Sequence, residues 1–368
     1  MNKLLPIISI FILVQNLTIN AQDAFSEFEN LFSKPKNYWV CKTDSEILID
    51  GKGNEPAWNN AAWTEDFTDI EGDLKPAPLY QTRVKMLWDN ENLYILAELE
   101  EPQIWAYYTK HDLIVYHEND FEIFIDPDND TRNYFEIEIN AQNTVFDLFM
   151  TKPYRDRGIP LITWNATGLT TAIHIDGTLN NFSDRDKKWT VEMAIPFETL
   201  KLGVHKAIPQ NGQSWRINFS RVQWQTEIEN NQYVRKKDPA TDKILPENNW
   251  VWSPIGVINM HYPERWGNLQ FSTEYEYTEG DSQEMDAEDK LRDYLWLVYY
   301  KQKKFLSENG NYATSLNQIS VQESVKTDLG ENGKIEMFAS KLQFIARLTS
   351  SEGKIITIDH EGFIQSVK

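Results

Sequence analysis

The sequence predicts a mainly β protein: an antiparallel β-sandwich followed by a small α+β unit built around one long helix. Two observations carry this. Between residues 46 and 272 the apolar runs are short, rich in β-branched and aromatic residues, and separated by Gly, Pro, Asn and Asp, which is the punctuation of strands and tight turns. After residue 286 a single long stretch switches to helical spacing. Many closely spaced strands without long helices between them argue for packed sheets over a parallel α/β core.

Taken in order, residues 1–21 carry one basic residue, Lys3, then an apolar core, then the small residue Ala21 before Gln22. This is the layout of a secretory signal peptide, and the apolar run is too short to span a bilayer. A secreted or periplasmic bacterial location is therefore expected. Residues 22–45 show no sustained period and read as a leader. The strand candidates then follow as "RVKMLWD", "LYILAELE", "DFEIFID", "YFEIEIN", "VFDLFMT", "WTVEMAIPF" and "WRINFSRVQW", with one helical turn near "PFETLKLG". Residues 273–285 are acidic and nearly free of aliphatic side chains, which marks a linker to a second unit at 286–368. In that unit Asp286 is the expected N-cap of a helix that stops at Gly310. Leu291, Leu295, Val298 and Phe305 recur on one helical face, leaving charges on the other. Behind it come "KLQFIARLTS" and "KIITIDHEGFIQSV", strand-like runs with a "DHEG" turn.

Composition narrows the function. A net charge of −20 argues against nucleic acid, whose phosphates demand basic patches. The sole cysteine, Cys41, excludes an internal disulfide. Past the first residues no run reaches the roughly twenty apolar residues a spanning helix needs. Of the 13 tryptophans, eleven lie between Trp58 and Trp266, denser than a core alone requires. A core absorbs most of them. The remainder, exposed in a groove, would grip flat apolar faces such as those of sugar rings.

The densest chemistry lies in "DFEIFIDPDND", residues 120–130. With a period of two, Phe121, Ile123 and Ile125 face one way, and Glu122 and Phe124 the other. In "YFEIEIN" Glu136, Glu138 and Asn140 share one face. If "DPDNDTRN" closes a hairpin, Glu122 comes near Glu136 or Glu138. Like charges across strands repel, so an arginine, a cation or a ligand's hydroxyl groups should compensate. Three uses are open: an acid–base pair of a glycoside hydrolase, hydrogen bonding to sugar hydroxyls, or plain structure. Asp126, Asp128 and Asp130 open a D-x-D-x-D pattern that suits calcium. An EF-hand is excluded, because its sixth position is Thr131 and its twelfth Ile137. Asp and Asn also favour turns for their own backbone chemistry. The chain lacks H-E-x-x-H, G-x-S-x-G, a Walker loop and paired cysteines.

Several stretches carry a resemblance: "ILIDGKGNEPAWNNAAW", "VKMLWDNENLYILAELEEP", "NDFEIFIDPDNDTRNYFEIEINAQNTVFDL", "WTVEMAIPFETL", "WRINFSRVQW" and "WSPIGVINMHYPERWGNLQFS". Together, over about residues 46–272, these resemble the carbohydrate-binding module family 9-like domain, found in xylanases and in stand-alone secreted bacterial proteins. The resemblance implies a β-sandwich that binds xylan- or cellulose-like chains, with calcium. It also implies site residues. Glu122 matches the family's hydrogen-bonding glutamate, and Tyr116 stands where one of two sandwiching tryptophans belongs. Trp224 corresponds to the second tryptophan, with Arg221 competing for that alignment, and Asn218 matches an asparagine. Glu138 stands where the family has an arginine. A carboxylate only accepts hydrogen bonds where arginine only donates, so Arg221 or Arg132 would have to supply the cation.

The expected function is a secreted, non-catalytic carbohydrate-binding protein serving carbohydrate catabolism, with secreted glycoside hydrolases as possible partners. A sugar would stack between Tyr116 and Trp224 and bond to Glu122 and Asn218, with Trp105, Tyr107 and Tyr108 in reserve. The rivals are a glycoside hydrolase using Glu122 with Glu136 or Glu138, and a cell-surface protein-interaction module.

Overall fold

The computed structural model describes residues 24–204, 208–274, 287–327 and 329–367. The expected signal peptide, most of the expected acidic linker and Asp286 lie outside the described residues. Among the described residues fifteen strands form the first unit. They are β1 (Asn37–Lys42), β2 (Thr68–Asp69), β3 (Thr82–Trp88), β4 (Asn92–Glu100), β5 (Asp120–Asp126), β6 (Tyr134–Asn140), β7 (Val145–Met150) and β8 (Pro160–Leu161). Then come β9 (Thr170–Asp176), β10 (Lys188–Pro196), β11 (Ser214–Gln223), β12 (Thr226–Glu229), β13 (Gln232–Arg235), β14 (Asn248–Val251) and β15 (Gly267–Ser272).

One long ladder runs β8-β7-β6-β5-β11-β15-β1-β3-β4-β10-β9, with β14 and β2 branching from β11. It curls on itself, so that Phe121, Ile123 and Phe219 from one half meet Val84, Ile95 and Val191 from the other in a single core. Each such buried side chain stabilises by about 1.5–3 kcal/mol. The pairing is antiparallel except at β1, which lies parallel to both β15 and β3.

That exception corrects the leader. Residues 37–42 are a central strand of the sandwich, with Val40 fully buried and the Tyr38 hydroxyl donating to the Ala62 carbonyl at 2.6 Å. Just before it, Ser26–Phe32 forms a short 3-10 segment, and its Phe28 and Phe32 rings, with the preceding Phe25, pack on Tyr294 and Tyr300. Neither piece is long enough to show a period of its own. The 3-10 segment is ordered by rings more than two hundred residues downstream and β1 by both β15 and β3, contacts that no local pattern reveals.

The second unit holds α1 (Ala287–Asn309) on a five-stranded antiparallel sheet. Its strands are β16 (Ser324–Lys326), β17 (Asn332–Ala339), β18 (Phe344–Ser350), β19 (Ile355–Asp359) and β20 (Ile364–Val367). Gly310, at φ +71°, ends the helix with its amide on the Leu306 carbonyl. The helix is not two-faced as its spacing suggests: every residue from Tyr294 to Tyr300 is buried. One side covers the sheet and the other meets the sandwich and the leader, and a helix apolar all round is a buried helix.

The two units share a buried polar seam. Arg265 reaches Asp293 at 3.0 Å and the Leu31 carbonyl at 2.8 Å. Tyr300 donates to Glu264 at 2.6 Å, while Lys303 and Tyr299 both reach Asp156. Thr131 and Arg132, on the β5–β6 loop, contact Gly362 and Glu361. The second unit is therefore part of one packed body.

Candidate functional site

The β5–β6 hairpin places its side chains as the period of two demands. Glu122 pairs directly with Glu138, and Phe124 with Glu136. The odd-numbered residues Phe121, Ile123, Ile125, Phe135, Ile137 and Ile139 go into the core. The even-numbered ones form the outer face of the sheet, and there a cleft of about 520 Å³ opens. Its floor is Glu122, Glu136, Glu138, Phe124, Leu148 and Val222. Its rim brings together Tyr116, Tyr154, Ile162, Ile258 and His261 from separate loops. Tyr116 and Tyr154 are 39% and 43% exposed, so each offers a ring face and a hydroxyl.

Four carboxylates crowd this face. Asp120, Glu122, Glu136 and Glu138 are all buried, and one oxygen each of Asp120, Glu122 and Glu138 lies within 4.8 Å of the others. Burial pushes Glu122 up to about 7, with the Glu247 charge adding to it. Burial and then the Glu122 charge push Glu136 to about 8. Asp120 and Glu138 are raised well above the usual range by the same two causes. Both Asp120 oxygens and Glu136 Oε2 are buried without a hydrogen-bond partner. Among the described residues no lysine or arginine lines the cleft. His261 approaches Glu136 at 4.0 Å, but burial and Arg155 hold its imidazole down to about 4, so it is neutral at pH 7. Its Nδ1 lies 2.9 Å from the Tyr134 hydroxyl, and Tyr154 packs edge-on against its ring at 4.5 Å.

The site expected from sequence assembles only in part. Tyr116, Glu122 and Glu138 converge on the cleft, and the other three residues do not. Asn218 is fully buried, its amide donating to the Ser253 carbonyl at 2.8 Å and its oxygen accepting from the Ser253 amide at 3.0 Å. Arg221 pairs across the ladder with Phe121 and so points to the opposite side from the glutamates. There it holds Glu101 at 3.1 Å, Thr82 and Gln223. Trp224 is buried with Trp105 and Tyr233. Arg235 covers its ring at 4.7 Å, and its Nε1 donates to the Tyr116 carbonyl at 2.9 Å. No sugar can lie between Tyr116 and Trp224. Arg132 is also committed, to Glu361 and Asp359, so neither arginine supplies the missing cation.

The tryptophan reading changes with it. Of the eleven between Trp58 and Trp266, nine are buried and Trp63 and Trp164 are half-buried, so the exposed aromatic faces at the cleft belong to tyrosines. Tyr154, His261 and Asp120 were missed. Nothing local in "KPYRDRG" marks Tyr154, whereas Asp120 shares the parity of Glu122 and could have been read with it. The reserve residues Trp105, Tyr107 and Tyr108 line a separate hollow of about 400 Å³ with Tyr233 and Arg235.

The acidic turn closes on its own backbone and also gathers its three carboxylates. Asp126 accepts the amides of Asn129 and Thr131 at 3.1 and 2.9 Å, an Asx turn. One oxygen each of Asp126, Asp128 and Asp130 also lies within 4.8 Å of the others. The Asn129 Oδ1 atom is buried without a partner, and burial with the Asp128 charge pushes Asp130 up to about 7. An all-oxygen donor set with an orphaned acceptor fits a calcium ion.

Residues 49–272, well over half the chain, match the family model described as carbohydrate family 9 binding domain-like. The chain belongs to that family. A 108-residue stretch is 32% identical to endo-1,4-beta-xylanase A of Thermotoga neapolitana, a match that takes in 27% of this chain and 10% of the xylanase. Among solved structures, a family 9 carbohydrate-binding module from Caldicellulosiruptor kristjanssonii in complex with cellotriose is 16% identical, with a TM-score of 0.41, over 68% of this chain and all of that one. Its glucose complex gives a TM-score of 0.40 over 67% of this chain and all of that one, again at 16% identity. The family match covers β2–β15 and the outer-face cleft, while β1, α1 and β16–β20 fall outside it. Among the described residues no helix is long and apolar enough to cross a membrane.

Proposed function

We propose that this chain is a secreted or periplasmic, non-catalytic protein that binds a plant-type polysaccharide or its oligosaccharides. Its cleft takes the sugar against Tyr116 and Tyr154, and Glu122, Glu136 and Glu138 receive its hydroxyl groups. The observation that carries this reading is the convergence of two exposed tyrosine rings over a floor of buried carboxylates in one open cleft. Family membership and the partial likeness to a xylanase support xylan- or cellulose-like chains as the ligand class, and a glycoside hydrolase in the same compartment as the natural consumer of what is held. Calcium at Asp126, Asp128 and Asp130 would stiffen the β5–β6 turn and with it the floor of the cleft.

The non-catalytic reading rests on the matched family, whose model describes a binding domain. The test is affinity electrophoresis against xylan, soluble cellulose derivatives and pectin, with calcium and with EDTA. Retardation by one polysaccharide is expected. Tyr116→Ala and Tyr154→Ala should each weaken it roughly tenfold, about 1.4 kcal/mol. Retention unchanged in both folded variants, or release of reducing sugar that is lost in Glu122→Gln, would sink the proposal.

A further inference from the structure

Three carboxylates form a compact oxygen cage, Glu122 and Glu138 on the floor of the cleft and Asp120 beside them. Asp120 and Glu122 follow one another on the outer face of β5, and Glu138 is the direct cross-strand partner of Glu122. One oxygen of each lies within 4.8 Å of the other two. Calcium binds oxygen at about 2.3–2.6 Å, so two ligands on opposite sides of one ion are at most about 5 Å apart. All three oxygens therefore fit a single coordination shell. On β11 the residue paired with Glu122 is Ser220, on the same face by the antiparallel register. Its hydroxyl is fully buried and turned toward the Glu122 carboxylate. Both Asp120 oxygens are buried with no side-chain hydrogen-bond partner among the described residues. The arginines that could have neutralised the cluster are bound elsewhere, Arg221 behind the sheet and Arg132 on the second unit.

We infer that Asp120, Glu122 and Glu138, with the Ser220 hydroxyl, form a binding site for a hard divalent cation of the calcium class. The ion takes the place that a basic side chain would otherwise fill, and it is distinct from any ion at the Asp126 turn. Asp120 and Ser220 hold it from below. Glu122 and Glu138 line the cleft, so its remaining positions open toward the bound molecule. Calcium favours six to eight oxygens, and paired hydroxyls of a sugar supply two of them. Only this last use rests on the sugar reading, and the cation site itself does not.

The experiment is calorimetric titration of the whole chain, stripped with EDTA, with calcium chloride and no sugar. Wild type is expected to bind one more calcium than Asp120→Asn or Glu138→Gln, whereas Asp130→Asn keeps that site. Ser220→Ala should weaken it by about tenfold. Each amide removes one charge from a repulsive cluster. In EDTA Asp120→Asn should therefore melt above wild type, and in calcium wild type should gain more than the variant. That pattern separates a ligand set from residues that merely hold the fold. Equal calcium uptake by wild type and both amide variants, or no uptake by wild type, overturns the inference. Polysaccharide retention is then measured separately: calcium uptake without retention leaves the cation site standing and removes the sugar reading, and the reverse removes the cation site alone.

Discussion

Tyr299→Phe tests whether the second unit is an integral part of the folded body. The Tyr299 hydroxyl donates to Asp156 at 2.8–2.9 Å and accepts from Arg155 Nε at 3.1 Å, in a region where both Tyr299 and Asp156 are buried. A hydrogen bond to a charged partner contributes about 1.5–3 kcal/mol. The two charged groups are not abandoned when the hydroxyl goes, because Asp156 keeps Lys303 at 2.7 Å and Arg155 keeps Glu264 at 2.8 Å. The loss should then be about 2–3 kcal/mol in total, well below two full bonds. Urea unfolding followed by tryptophan fluorescence and far-UV circular dichroism measures it. Wild type should unfold in one coincident transition, and the variant at a lower midpoint with the same slope. Asp156→Asn alone and the double variant complete a cycle, and the double variant should cost clearly less than the two singles summed. A loss under about 0.5 kcal/mol, or additive singles, would mean that the seam does not carry stability in the way its geometry indicates.

Three further outcomes are expected. Gly256 has φ +89°, and a Cβ there would lie 1.8 Å from the Asn30 carbonyl oxygen, so Gly256→Ala should release the Ser26–Phe32 segment to limited proteolysis. Gly212→Ala, at φ +77° with nothing within 4 Å, should cost only the left-handed backbone penalty of about 1–2 kcal/mol and leave that segment protected. His261 is held down to about 4 in the folded chain against an ordinary value near 6.5. The unfolded chain therefore binds the extra proton between those values, and stability falls as pH drops from about 6.5 to 4, by up to about 3 kcal/mol. Stability measured across that range in wild type and His261→Gln should diverge in that direction; parallel curves would refute the burial argument. Trp224→Ala, emptying a buried site against Trp105 and Tyr233, should cost about 3–5 kcal/mol by chemical denaturation. Trp224→Phe, which loses the bond to the Tyr116 carbonyl and part of the ring area under Arg235, should stay folded and weaken polysaccharide retention; full retention would show that this bond does not position Tyr116.

Much of the fold can be read along the chain, because strand propensity and the period of two are local. The β5–β6 hairpin, the glutamates on its outer face, the acidic turn and the glycine stop of α1 all follow from near neighbours. Parity alone also separates Arg221 from Asn218 on β11, since three residues apart on a strand means opposite faces. What could not be read locally depends on which strands become neighbours. Tyr154 and His261 reach the cleft from loops more than a hundred residues apart, and only the ladder order brings them together.

The sequence by itself determined the sandwich class, the direction in which each side chain of β5 and β6 points, and the concentration of acid at one turn. Tertiary structure alone decided that residues 37–42 run parallel at the centre of the sheet, that Trp224 lies under Arg235, and that both candidate arginines are spent on other carboxylates. The physical reason is the same in each case. Backbone periodicity acts over a few residues, whereas burial and charge pairing are settled by whichever distant segment packs alongside.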